Sequence, residues 1–248
     1  YVAAVLRDAG HGVRIIATGL REGHVLLPED IADADLVGIT ATSALFGNAV
    51  HTLETVRAWR PELPVILGGS HATVCTEQTL RAGFDVAVLG EAESTILELV
   101  ENLDRGQMLQ TKGIAFLNDA GDVHKTAAQP LIEDLDALPF PARDLYDYDA
   151  FRAAGGWEFG MMSSRGCPFR CSFCQPTLNM IFGTMRKRGP ENVAQEMAQL
   201  QANYAPPILY FKDDTLSANG LKWFSQFRTA LKEQGVTQRW KCNTRVDK

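Results

Sequence analysis

The sequence predicts an α/β protein: a doubly wound parallel sheet followed by part of an α/β barrel. Three observations carry this prediction. Short apolar runs alternate with helical runs through the first hundred residues, the alternation restarts after residue 150, and a proline-rich acidic stretch separates the two series. Strands alternating with helices of about 10–15 residues imply parallel βαβ units. Near-continuous apolar strands imply a sheet covered on both faces.

In the first series the strand candidates are Val13–Ala17, Leu36–Thr40, Val65–Leu67 and Val86–Leu89, with helical stretches near Asn48–Trp59, Val74–Arg81 and Glu93–Leu103. Lys112–Leu117 and Asp122–Lys125 flank Asn118-Asp119-Ala120-Gly121, a turn composition that predicts a hairpin. Pro130 to Asp149 contains Leu138-Pro139-Phe140-Pro141 and reads as an extended linker, because proline removes donors and disfavours helix before it. The predicted organisation is 1–128 for the first domain with its hairpin, 129–152 for the linker and 153–248 for the barrel part.

In the second series, Phe159–Ser163 is a strand candidate entering a cysteine-rich loop. Pro190–Tyr204 is a helix, with Pro190 suited to the first turn and Glu191 to the positive end of the dipole. Ile208–Lys212 is a strand, Asn219–Gln234 a helix stopped by Gly235, and Arg239–Thr244 a third strand. Successive βα strands with polar loops at their carboxyl ends suggest a barrel that the chain enters without completing. The chain opens at Tyr1 without a methionine and ends at Lys248, so it reads as a piece of a longer protein.

Composition narrows the function. The 248 residues suit one large domain or two smaller ones, at roughly 100–200 residues per domain. The net charge is -6 and no basic run stands out, which argues against capture of nucleic acid through phosphates. No apolar stretch approaches the roughly 18 residues of a membrane span, and no signal-peptide pattern is present. Five cysteines, three of them clustered, fit a reducing cytoplasmic setting better than a disulfide framework.

Those three, Cys167, Cys171 and Cys174, follow a C-x3-C-x2-C spacing. Thiolates are soft ligands for iron–sulfur clusters or zinc. Three ligands on a four-iron cluster leave one iron open, the arrangement of a working site. A structural zinc site needs a fourth ligand, from Cys75, Cys242 or a histidine, and lacks the usual second ligand pair.

With Phe173, the loop matches C-x3-C-x-aromatic-C and resembles the signature of the radical S-adenosylmethionine superfamily. The resemblance implies that Cys167, Cys171 and Cys174 hold a 4Fe–4S cluster whose fourth iron binds S-adenosylmethionine, yielding a 5′-deoxyadenosyl radical, with Phe173 near the adenine. Arg186-Lys187-Arg188-Gly189-Pro190-Glu191-Asn192-Val193 is similar to a segment of cobalamin-associated members, with Gly189 replacing the usual serine. Tyr210-Phe211-Lys212-Asp213-Asp214 resembles the second barrel strand; Asp213 or Asp214 would accept hydrogen bonds from the cofactor's ammonium, or else cap the following turn. Arg245, after the third strand, would meet a carboxylate or form a surface ion pair.

The loops beyond the first sheet are Thr40-Ala41-Thr42-Ser43, Gly68-Gly69-Ser70-His71-Ala72-Thr73 and Leu89-Gly90-Glu91-Ala92-Glu93. Doubly wound sheets bind ligands at such ends, and glycine admits close backbone approach. Together with Leu6-x-x-Ala9-Gly10-His11-x-Val13 they resemble the cobalamin-binding domain fused to many radical enzymes. That resemblance implies cobalamin contacts from Thr40, Thr42, Ser43, Gly68, Gly69, Ser70, His71, Gly90 and Glu91, and a first strand before Tyr1. No D-x-H-x-x-G run is present, which implies cobalamin bound without a histidine on cobalt; His71 reads as a hydrogen-bonding loop residue.

The resemblance implies a cobalamin-dependent radical enzyme that methylates an unactivated carbon of a small-molecule substrate and draws electrons from a donor such as flavodoxin or ferredoxin. Its alternatives are ring closure or rearrangement, methylthiolation, and a cobalamin- or redox-sensing module. Methylthiolation is disfavoured because its usual amino-terminal domain carries three further cysteines, and only Cys75 lies there.

Overall fold

The computed structural model describes residues 1–18, 25–153, 155, 156, 158–171, 174 and 183–246. They form two compact units, Tyr1–Leu131 with Pro141–Tyr146, and Ile132–Phe140 with Asp147–Lys248. The segment read as a linker is thus shared between both units.

In the first unit β1 (Val37–Thr40), β2 (Val65–Gly68) and β3 (Val86–Val88) run parallel, and β4 (Ile114–Leu117) and β5 (Val123–Lys125) continue the sheet antiparallel in the order β1-β2-β3-β4-β5. The helices are α1 (Val2–Asp8), α2 (Phe46–Trp59), α3 (Ser70–Val74), α4 (Thr76–Arg81) and α5 (Glu93–Asp104). Val65, Ile66, Leu67, Val86, Ala87 and Val88 are all buried, as strands covered on both faces must be. Leu53 and Val56 of α2 and Leu80 of α4 pack onto Val65, Leu67 and Ala87. The hairpin forms where Asn118 caps its own turn, its Oδ1 accepting from the backbone N–H of Ala120 and Asp122.

One expected strand is absent. Val13–Ala17 has no ladder partner among the described residues, and Ile15 and Ile16 stay exposed. Its β-branched composition satisfies strand propensity, but a strand also needs a neighbour to pair with.

In the second unit β6 (Glu158–Met161), β9 (Ile208–Phe211) and β10 (Trp240–Cys242) form a parallel sheet in the order β10-β9-β6. A two-residue ladder joins β7 (Ser164–Arg165) to β8 (Arg186–Lys187), antiparallel. The helices are α6 (Tyr148–Ala153), α7 (Pro190–Tyr204) and α8 (Leu221–Glu233). Side chains alternate across a strand. Phe159, Met161, Leu209 and Phe211 therefore all point to one face, where they pack on Val193, Met197 and Leu200 of α7 and Trp223, Phe227 and Ala230 of α8.

Helix α7 starts at Pro190, behind Gly189, which has no side chain to cap with. The Asp136 carboxylate holds the residue before the helix: Oδ2 accepts the Gly189 N–H at 2.7 Å, and a Cβ on Gly189 would sit 2.7 Å from the same oxygen. At its other end α7 stops at Ala205, in the left-handed conformation with φ of 41°, directly before Pro206.

Candidate functional site

Two groups of residues gather at the carboxyl ends of the strands, one in each unit. In the first unit the loops after β1, β2 and β3 are sewn together by backbone and small side chains. Gly69 has φ of 91° and ψ of -171°, a region open essentially to glycine alone, and a Cβ there would lie 2.9 Å from both Ala41 O and Thr40 Oγ1. That close approach lets Ala41 N–H donate to Gly68 O and His71 N–H donate to Ala41 O, each at 3.2 Å. Thr73 Oγ1 donates to Gly69 O and accepts the Gly90 N–H, both at 3.0 Å, which ties the second loop to the third.

His71 is buried at 3% exposure. Its ring stacks on Phe46 with centroids 3.9 Å apart, and Nδ1 lies 3.0 Å from Ser43 Oγ. Nε2 is buried with no hydrogen-bond partner among the described residues. Burial lowers the imidazole's pKa from its ordinary value and favours the neutral ring. The structure thus brings together Thr40, Ser43, Gly68, Gly69, His71 and Gly90. Thr42 directly precedes the short 3-10 turn Ser43–Leu45, Ser70 opens α3 exposed to solvent, and Glu91 is buried in the third loop. Sequence reasoning passed over Thr73 and Phe46. A threonine within the glycine loop was a usable signal for the first; nothing in the sequence pointed to the stacking of the second.

In the second unit the strand exits are held by buried charge. Asp213, 1% exposed, accepts the Ser163 N–H at 3.0 and 3.1 Å on its two oxygens, the Ser163 hydroxyl at 2.6 Å and the Ser164 hydroxyl at 2.5 Å. Asn219 Nδ2 in turn donates to Ser163 Oγ at 2.7 Å. The carboxylate read as a ligand for a cofactor ammonium is therefore committed to locking β6 to β9. Asp214 beside it is exposed, and its pKa is raised, first by partial desolvation and then by the Asp213 charge. Arg188 is buried as well. It pairs with Glu196, donates to Met162 O at 2.7 Å and reaches Asn192 Oδ1 through Nε and Nη2 at 2.8 and 2.6 Å.

The cysteine loop leaves this framework through Ser164, Arg165 and Gly166. Cys167, Cys171 and Cys174 carry free thiols, the first two half-buried and the third exposed. Cys167 Sγ lies 3.6 Å from Thr215 Oγ1. Arg245 Nη1 donates to Cys171 Sγ at 3.0 Å, and its guanidinium stands 4.3 Å over the Phe169 ring. Among the described residues no three side chains of His, Cys, Asp or Glu converge as they would around a single metal ion. Phe173 lies outside the described residues. Cys75 and Cys242 are also free; burial and the Asp213 charge push the Cys242 thiol up, and it borders the apolar core.

Comparison with known proteins agrees with this architecture. A family model described as the B12 binding domain matches residues 1–100. An uncharacterized methyltransferase of Pyrococcus horikoshii is 36% identical over 259 residues, covering 100% of this chain and 54% of that protein. The anaerobic magnesium-protoporphyrin IX monomethyl ester cyclase of Rubrivivax gelatinosus is 28% identical, covering 99% of this chain and 46% of the cyclase. The chain thus spans about half the length of the curated relatives it matches. Among solved structures, the cobalamin-dependent S-adenosylmethionine radical enzyme OxsB with aqua-cobalamin bound superposes with a TM-score of 0.68 at 16% identity, over 87% of this chain and 31% of OxsB. The α/β fold read from the sequence therefore holds, and the chain matches the B12 binding domain over residues 1–100.

Proposed function

We propose that this chain supplies the cobalamin-binding unit, residues 1–128, the connection 129–152 and the cysteine-bearing barrel part, residues 153–248, of a radical S-adenosylmethionine methyltransferase. The observation that carries the reading is the cysteine loop at the carboxyl end of the β10-β9-β6 sheet. There Arg245 donates an N–H to the Cys171 sulfur, and Cys167 Sγ lies 3.6 Å from the Thr215 hydroxyl oxygen. Three free thiols on one loop, with an arginine N–H directed at one sulfur, suit a thiolate-held iron–sulfur cluster. A corrin ring in the first unit is supported by the glycine-built loops at the strand ends and by a buried His71 Nε2 without a hydrogen-bond partner among the described residues.

In this reading Cys167, Cys171 and Cys174 hold a 4Fe–4S cluster. Asp214 and Phe173 face S-adenosylmethionine. Thr40, Thr42, Ser43, Gly68, Gly69, Ser70, His71, Gly90 and Glu91 surround cobalamin, with His71 as a neutral hydrogen-bonding residue. When bound, these groups supply an organic radical and a transferable methyl group; the protein orients them and excludes water. Asp213, Ser163 and Ser164 fix the strand exits from which the cysteine loop departs, and the Arg188–Glu196 pair holds the start of α7 beneath it. The substrate is a small molecule and the electron donor a flavodoxin- or ferredoxin-type protein. The match to a cyclase favours ring closure as the second reading.

The test is anaerobic reconstitution of the full-length protein with iron, sulfide and cobalamin, beside Cys167→Ala, Cys171→Ala and Cys174→Ala. The wild type is expected to bind iron, sulfide and cobalamin, and each variant to lose iron while keeping cobalamin. Zinc without iron or sulfide in the wild type overturns the reading.

A further inference from the structure

Arg245 holds a place that a generic surface cation would not. Its Nη1 sits 3.0 Å from Cys171 Sγ, and the guanidinium is stacked 4.3 Å from the Phe169 ring centroid, two residues before that cysteine. The two residues before it are fastened. Leu216 N–H donates to Asn243 O at 3.1 Å, Tyr210 Oη donates to Asn243 Oδ1 at 2.9 Å, and Thr244 Oγ1 donates to Ser217 Oγ at 2.6 Å. A guanidinium is charged at every working pH and stacks on aromatic rings, so it keeps both its charge and its orientation here. Hydrogen bonds to sulfur and nearby charge are among the main controls on an iron–sulfur potential.

From this geometry we infer that Arg245 is a positioning residue that raises the reduction potential of the cluster held by Cys167, Cys171 and Cys174, by donating an N–H to the Cys171 sulfur. The inference rests on the functional reading above. Reduction adds negative charge to the cluster. A fixed cation and an N–H donor on one of its thiolates stabilise the reduced form more than the oxidised form. Phe169 contributes by holding the guanidinium on the sulfur, where it is not available to swing toward the carboxylate of S-adenosylmethionine.

The experiment uses the full-length protein, reconstituted anaerobically with iron and sulfide and titrated potentiometrically without S-adenosylmethionine, with the reduced cluster followed by electron paramagnetic resonance. Arg245→Met is expected to load the same iron and to lower the midpoint by about 59 mV, a factor of about ten in the ratio of reduced to oxidised cluster for one electron. Arg245→Lys keeps the charge but loses the planar fork, and is expected to fall between the two. Phe169→Leu leaves the arginine in place but unpinned, and is expected to shift the midpoint in the same direction by less. If Arg245→Met does not load, the lysine and Phe169 variants decide. Fully loaded variants at the wild-type midpoint overturn the role of Arg245 alone. A wild type that binds neither iron nor sulfide overturns the functional reading, and this role with it.

Discussion

The two strand-end sites are built from different materials. In the first unit, Gly69, Ala41 and Gly90 shape the loops through backbone contacts, and threonine and serine hydroxyls close the gaps. In the second unit the framework is electrostatic: Asp213 under Ser163 and Ser164, and Arg188 against Glu196, all nearly excluded from water. A backbone-built site is intolerant of added volume. A charge-built site is intolerant of losing one partner. The difference suits the ligands proposed for each, a large ring that needs close approach and a cluster that needs its loop anchored.

The largest expected effect comes from breaking the charged framework. Arg188→Met leaves Glu196 buried without its guanidinium and is expected to cost about 3–5 kcal/mol in chemical denaturation of the apo protein. Arg188→Met combined with Glu196→Met is expected to recover most of that loss, because a buried pair is often replaceable by apolar groups of similar volume. A double variant no more stable than the single one would show that the site does not depend on charge pairing. The first unit is expected to fail in the opposite way. Gly69→Ala adds a Cβ where Ala41 O and Thr40 Oγ1 already stand at 2.9 Å, in a backbone region that alanine avoids. It is expected to cost about 3 kcal/mol and to weaken cobalamin retention, measured by absorbance after gel filtration, while iron loading stays at the wild-type level.

The smallest effect concerns pH. The folded-state pKa of His71 is lowered by burial, so the unfolded chain takes up a proton at a higher pH than the folded one. The contribution of the neutral ring is fully present above the ordinary histidine pKa near 6.5 and is lost as pH falls below it toward the lowered folded value. The stability gap between wild type and His71→Gln is therefore expected to be wider at about pH 7.5 than at about pH 5.5, both being on the order of one unit from the ordinary value. A gap that is equal at both pH values would break the account.

Much of the fold was legible because it is local. The helix Pro190–Tyr204 was bounded correctly by proline at one end and by the change of pattern at the other, and the hairpin turn announced itself in Asn118 and Gly121. Val13–Ala17 misled because composition reports propensity and not the presence of a pairing neighbour. The β7–β8 ladder escaped notice because two residues on each side leave no periodicity to read. At the sites, the cysteines and glycines were legible from spacing and residue type. The commitment of Asp213 to two serines about fifty positions away, and of Arg245 to Cys171, depends on contacts that only the folded chain makes.

The contact between Asp136 and Gly189 has a consequence for how this sequence changes over time. The Asp136 carboxylate oxygen stands 2.7 Å from where a Cβ at 189 would lie, held there by the Gly189 N–H. Gly189→Ser must turn the carboxylate aside, and Asp136→Ala leaves the Gly189 N–H without this acceptor. The pair is therefore expected to covary among relatives, although the residues lie more than fifty positions apart.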